Sequence, residues 1–151
     1  MSSHFLSSIL ASTALAVLSF GASACSSTNG AGSSSSGTTY VATLDGAHET
    51  PAVTTTATGT ATFTLSADKT TLSYHITQSV SGATAAHIHA GVAGQSGPVA
   101  YPLTPISADM TGTIPLTHPT DVTNLDGSMF YVNVHSPTNP NGEIRGQITR
   151  Q

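Results

Sequence analysis

The chain has 151 residues, of which only 7% are charged, and seven acidic residues against three basic ones give a net charge of −4. Three fixed cations leave no electrostatic footprint for nucleic acid. The lone cysteine excludes an internal disulfide and a zinc site built from several thiolates.

Residues 5–20 (FLSSILASTALAVLSF) carry five Ser or Thr and fall short of the roughly 20 apolar residues of a membrane-spanning helix. They read as a removable signal peptide. Ala22-Ser23-Ala24 is an A-x-A cleavage pattern, and Cys25 follows it directly, ahead of the Ser/Gly run SSTNGAGSSSSGTT. A single cysteine at that boundary is the arrangement of a bacterial lipoprotein, whose thiol carries the lipid. Met1-Ser2-Ser3-His4 has no Lys or Arg and Ala22 stands where a lipobox has Leu, so export stands on firmer ground than lipidation. The expected organisation is a signal peptide at 1–24, a disordered linker at 25–38 bearing a lipidation site at Cys25, and one domain at 39–151. The expected location is the cell envelope, as an outer-membrane lipoprotein held to the membrane by its lipid, with a periplasmic or secreted protein as the alternative.

Along the domain the apolar residues alternate. TYVATL (39–44) is the first strand candidate. In TATFTL, Ala61, Phe63 and Leu65 alternate with threonines, and in LSYHIT, Leu72, Tyr74 and Ile76 alternate with Ser73, His75 and Thr77, the period of a half-buried strand. SADK between them is a hairpin turn. Further candidates are 84–90, 98–103, 112–116, 128–135 and 142–149. No window of ten or more residues has apolar residues at helical spacing. The reading is all-β: an antiparallel, Greek-key-like sandwich or flattened barrel of seven or eight short strands. Its expected core is Phe63, Leu65, Leu72, Tyr74, Ile76, Ile88, Val132, Val134, Ile144 and Ile148, lying between two sheets.

His87-Ile88-His89 on a strand puts both imidazoles on one face, with Cα atoms roughly 7 Å apart, and turns Ile88 inward. In MFYVNVH the apolar set is Phe130, Val132 and Val134, which leaves Met129, Tyr131, Asn133 and His135 opposite. In GEIRGQI, Ile144 and Ile148 face the core and Glu143, Arg145 and Gln147 do not. Were these strands to share a sheet, His87, His89, Asn133, His135, Glu143 and Arg145 would gather on its non-core side. His87, His89 and His135 are then candidate ligands for copper or zinc. The bland alternative is that the three are structural and bond to loop carbonyls or to one another. For His48 a loop hydrogen bond is preferred to a fourth ligand position, His75 is expected to be solvated, and His118 to sit in a surface loop. Glu143 and Arg145 are expected to pair or each to cap a neighbour.

The strings LDGAHETPAVTTTATGTATFTL, AAHIHAGVAGQSGPVAYPL and YVNVHSPTNPNGEIRGQI resemble the CHRD domain, named for chordin and found in bacterial secreted and lipid-anchored proteins. The likeness runs from about Tyr40 to Ile148. Its signature positions here are Glu49, Pro51, Gly97, Pro98, Asn133, Glu143 and Arg145, with Ala52 where the family's E-x-P-P has its second proline. The resemblance implies a β-sandwich module outside the cytoplasm. Locally, the His-x-His strand is also similar to that of copper–zinc superoxide dismutase, but the domain has neither that enzyme's disulfide nor its zinc loop.

Catalytic constellations are missing. The glycines at 91, 94 and 97 do not make G-x-G-x-x-G, AGQSGP is not a nucleophile elbow, and the carboxylates are scattered among turns. Two readings stay open: a non-catalytic binding or structural module of the envelope with an unidentified protein or glycan partner, and a copper-binding protein using His87, His89 and His135.

Overall fold

The structure, a computed structural model, describes residues 37–151. The leader at 1–24, Cys25 and all but the last two residues of the linker lie outside the described residues. The strands are β1 (Thr38–Asp45), β2 (Thr58–Leu65), β3 (Thr71–Gln78), β4 (Ala85–Ala90), β5 (Val99–Pro102), β6 (Asp109–Pro115), β7 (Phe130–His135), β8 (Ile144–Gln147) and the two-residue β9 (Thr149–Arg150). They make one antiparallel sheet in the order β5-β4-β7-β8-β1-β2-β3-β6, with β9 pairing β1. The chain is therefore all-β as expected, in the flattened-barrel form: one sheet curls around the core, where two facing sheets were expected.

The core follows from the alternation. Register sets Phe63 of β2 between Tyr40 of β1 and Tyr74 of β3, and the small Ala61 between Ala42 and Ile76. Large and small side chains thus share the interior, and each large one contributes about 1.5–3 kcal/mol by leaving water. Ile88, Val132, Val134, Ile144 and Ile148 close the other half and are all essentially inaccessible. The β2–β3 hairpin turns on Asp68, whose carboxylate accepts from the Ser66 hydroxyl at 2.6 Å and the Thr70 N–H at 3.1 Å. Lys69 takes the left-handed conformation there, with φ of 60°.

Three features differ from the expectation. The segment 142–149 is not one strand: β8 ends at Gln147, Ile148 gives its N–H to Phe130 O at 2.9 Å in continuation of the β7 register, and the chain then pairs with β1 as β9. β6 starts at Asp109, opposite Thr77, and so precedes the expected 112–116. A short helix, α1 (Asp121–Asp126), packs Leu125 into the core. The buried Asp121 carboxylate accepts from the His118 N–H at 2.9 Å and from the Tyr101 hydroxyl. Among the described residues no helix is long and apolar enough to cross a membrane.

Along β2 and β3 one face is buried and the other exposed, but β7 is buried on both: Tyr131 and Asn133 are as inaccessible as Phe130, Val132 and Val134. On β8, Arg145 is 2% exposed. Something covers the outer face of this part of the sheet, and polar groups lie beneath the cover.

Candidate metal centre

Register brings the expected residues together. On β4 and β7, His87 stands opposite Asn133, His89 opposite Tyr131 and Ala85 opposite His135, while Asn133 pairs onward with Arg145 of β8. His87 and His135 are thus diagonal neighbours across one ladder, a spacing that long side chains bridge. Each of His87, His89 and His135 offers one ring nitrogen within 4.8 Å of those of the other two.

The hydrogen bonds fix which nitrogen each ring turns inward. His89 Nδ1 lies 2.9 Å from Gly97 O and His135 Nδ1 lies 3.1 Å from Pro140 O. A carbonyl only accepts, so both Nδ1 atoms carry the proton and both Nε2 atoms keep a lone pair. His135 Nε2 lies 3.0 Å from His87 Nδ1, which therefore donates. His89 Nε2 is buried and has no partner among the described residues. Burial, then the neighbouring imidazoles His135 and His89, holds the His87 pKa below its ordinary value. Burial also lowers that of His135, against an opposing contribution from the Pro140 carbonyl. Lowered values keep both rings neutral, the form that ligates a metal.

The cover over β7 and β8 consists of residues 49–51 and 91–97. Arg145 Nη2 donates to Val92 O at 3.1 Å and to Gln95 O at 2.9 Å, and its guanidinium lies 3.5 Å above the Tyr131 ring. His89 stacks on the same ring, with centroids 4.9 Å apart and planes 9° from parallel. Tyr131 Oη accepts from the Gly97 N–H at 3.2 Å, and the Gln147 amide donates to Gly91 O, Ser128 O and Phe130 O. Gly97 is needed because a Cβ there would strike the Ala90 carbonyl.

Under this cover lies a cavity of about 350 Å³ whose lining includes Glu49, His89, Asn133 and Arg145. A larger depression of about 470 Å³ over Thr43, Thr60 and Thr77 is open and has no ligating group. Of the buried polar atoms without a partner among the described residues, Glu49 Oε1, His89 Nε2 and Asn133 Oδ1 belong to residues lining the first cavity. Burial pushes the Glu49 carboxyl above its usual pKa, partly offset by the Arg145 charge.

The remaining candidates lie elsewhere. Glu143 does not pair with Arg145: it sits just ahead of β8, where bonds from Ser136, Thr55 and Asn139 hold its pKa down, the Thr55 hydroxyl at 2.9 Å. Arg145 caps carbonyls. His48 Nδ1 is 2.6 Å from Asp45 Oδ1, a loop hydrogen bond, and His75 Nε2 is 2.8 Å from Asp109, so His75 is paired as well as solvated. Pro51 belongs to the cover, and Pro98 gives its carbonyl to the Ala90 N–H at 3.0 Å. The sequence reading had no role for Tyr131 or Gln147. Their signal was a polar residue on a strand with a buried second face, visible only once the cover is known.

The family model for the CHRD domain matches residues 40–148. Comparison with curated proteins and with solved structures yields no match.

Proposed function

Because the chain belongs to the CHRD domain family, over a match spanning more than half its length, we propose that it is an exported, lipid-tethered module of the cell envelope. In this reading it binds one copper or zinc ion through His87, His89 and His135, and it is non-catalytic. The observation that carries the metal reading is the convergence of three imidazoles, two of them, His89 and His135, held at their outer Nδ1 by main-chain carbonyls, while the inner nitrogens of His87 and His135 meet. Carbonyl contacts and metal binding are not alternatives here, because each ring has two nitrogens. A carbonyl on Nδ1 fixes the tautomer and aims Nε2, the usual support of a ligating histidine.

The magnitudes are compatible. Two ligands about 2.05 Å from a tetrahedral ion lie about 3.3 Å apart, and His87 Nδ1 and His135 Nε2 are 3.0 Å apart. An ion held between them would take the place of the proton on His87 Nδ1, which the ring would carry on Nε2 instead. His89 would supply the third nitrogen through its buried Nε2, which has no partner among the described residues. Three imidazoles leave a fourth position open, which suits zinc or copper.

The test is calorimetric titration of the domain with Cu(II) and Zn(II), repeated on His89→Ala and His135→Ala. One ion per chain, with affinity lost in either variant and metal-free melting little changed, is the expected result. Absence of stoichiometric binding by the parent ends the reading.

A separate observation favours a second ligand class. The unpartnered groups lining the cavity are all acceptors, so the complementary guest donates hydrogen bonds, as the hydroxyls of a glycan do. Saturation-transfer NMR with envelope glycans, compared between the parent and Asn133→Ala, tests it. Equal signals from both, or none from either, would remove it.

A further inference from the structure

Arg145 is a fully buried cation with no carboxylate ion-paired to it among the described residues. A buried guanidinium is costly unless its donors are used, and here they are spent on main-chain oxygen. Nη2 holds Val92 O and Gln95 O, and Nη1 lies 3.4 Å from Thr50 Oγ1. Those two carbonyls belong to the segment that ends in Gly97, whose own carbonyl receives the His89 Nδ1 proton. The Gly97 N–H is tied to Tyr131 Oη, and the Tyr131 ring lies against both Arg145 and His89. One continuous set of contacts thus leads from the β8 guanidinium, through segment 91–97 and the Tyr131 ring, to one imidazole.

We propose that Arg145 is a positioning residue for the metal site: by pinning segment 91–97 from beneath it places the Gly97 carbonyl, which fixes the tautomer and aim of His89. This rests on the metal reading for its consequence but not for its geometry. The fork matters as well as the charge. One terminal nitrogen holds both carbonyls while the other reaches Thr50 Oγ1 and the guanidinium plane lies against the Tyr131 ring; lysine keeps the charge but has neither the second terminal nitrogen nor the planar face. A change in such a supporting group costs roughly 10- to 100-fold in metal affinity. The arrangement also gives a reason for two distant sequence motifs to belong together: G-V-A-G-Q-S-G supplies the carbonyls that the arginine of G-E-I-R-G-Q holds.

The experiment uses Arg145→Lys and Tyr131→Phe, the second removing only the hydroxyl that holds the Gly97 N–H. Long-range proton–nitrogen NMR of the histidine rings in metal-free protein reports the tautomer of His89, and zinc titration reports affinity. The expected result is an Nδ1-protonated His89 in the parent and a mixture of tautomers in Arg145→Lys. Zinc affinity should fall roughly 10- to 100-fold, with a smaller shift of the same kind in Tyr131→Phe. A folded Arg145→Lys in which His89 stays Nδ1-protonated overturns the proposal. If Arg145→Lys fails to fold, Tyr131→Phe decides: an unchanged His89 signal overturns the proposal, and a shifted one upholds it. If the parent binds no zinc while the tautomer shifts as expected, the metal reading falls and the positioning role stands.

Discussion

Val132 is fully inaccessible on the core face of β7, with the equally buried Tyr131 and Asn133 on either side of it in sequence facing the opposite way. Val132→Asp probes the core face. Losing the valine forfeits about 1.5–3 kcal/mol of burial. An aspartate with an ordinary pKa of about 3.9 must then be held neutral at pH 7, which costs about 1.36 kcal/mol for each of roughly three pH units, or about 4 kcal/mol. The neutral carboxyl, left without a partner, adds about 1–3 kcal/mol. The sum of about 7–10 kcal/mol is comparable to the whole stability of a small domain, so the variant is expected to be unfolded at pH 7 and 25 °C. The pH dependence gives the check its edge. The folded-state pKa is raised, so the folded form binds the extra proton and stability is lost as pH rises. Acidifying from pH 7 to about 4.5 should therefore return about 3 kcal/mol. Urea melts of Val132→Asp and Val132→Ala at both pH values measure this. A Val132→Asp protein melting within a few degrees of the parent at pH 7 would refute the burial of Val132 in the core.

Other outcomes follow from single contacts. Burial raises the Glu49 pKa, so this residue's contribution to stability is present below the ordinary glutamate range and is lost as pH rises through the shifted value. Glu49→Gln should flatten that fall in urea melts between pH 4 and 7, and an unchanged slope would show that the carboxyl is effectively solvated. Gly142 has φ of 132°, and a Cβ there would press on Glu49 Oε1 and Asn133 Nδ2. Gly142→Ala should thus cost about 1–3 kcal/mol, and a thermal melt matching the parent would refute the close approach. Anchoring through Cys25 predicts a diacylglyceryl group in the mass of the mature protein and release from membranes in Cys25→Ser. An unmodified Cys25 at the mature N-terminus would leave export without an anchor.

What the sequence revealed and what it hid divide along a physical line. Alternation is a local signal, so it marks Phe63, Tyr74, Ile88 and Val132 as facing inward without any knowledge of their partners. By the same logic the opposite faces of β4 and β7 could be read, and with them the meeting of His87, His89 and His135. The cover over that outer face is non-local. Nothing in residues 91–97 announces that Arg145, some 50 positions on, will hold their carbonyls, so Tyr131 and Asn133 read as surface residues. The same blindness let Glu143 be grouped with Arg145 from strand parity, although Ser136, Thr55 and Asn139 draw its carboxylate away. Helix α1 escaped because six residues are too few to display a 3.6 period. Its one legible mark was Asp121 at the start with Gly127 just past the end.

Strand β1, near the start of the described chain, is bordered by β2 on one side and by β8 and β9, the last strands, on the other. Gln151 gives its N–H to Thr39 O at 3.0 Å. The sheet's middle therefore cannot be laid down until both ends of the described domain are present, and the closing contacts join residues as far apart as Thr39 and Gln151. Pairing between such distant residues slows folding, because loop closure precedes the contacts that reward it. A chain cut after Arg145 would leave the β1 edge bare at Tyr40 and Val41 and the places of Ile148 and β9 vacant. The domain is held shut at the seam between its two ends.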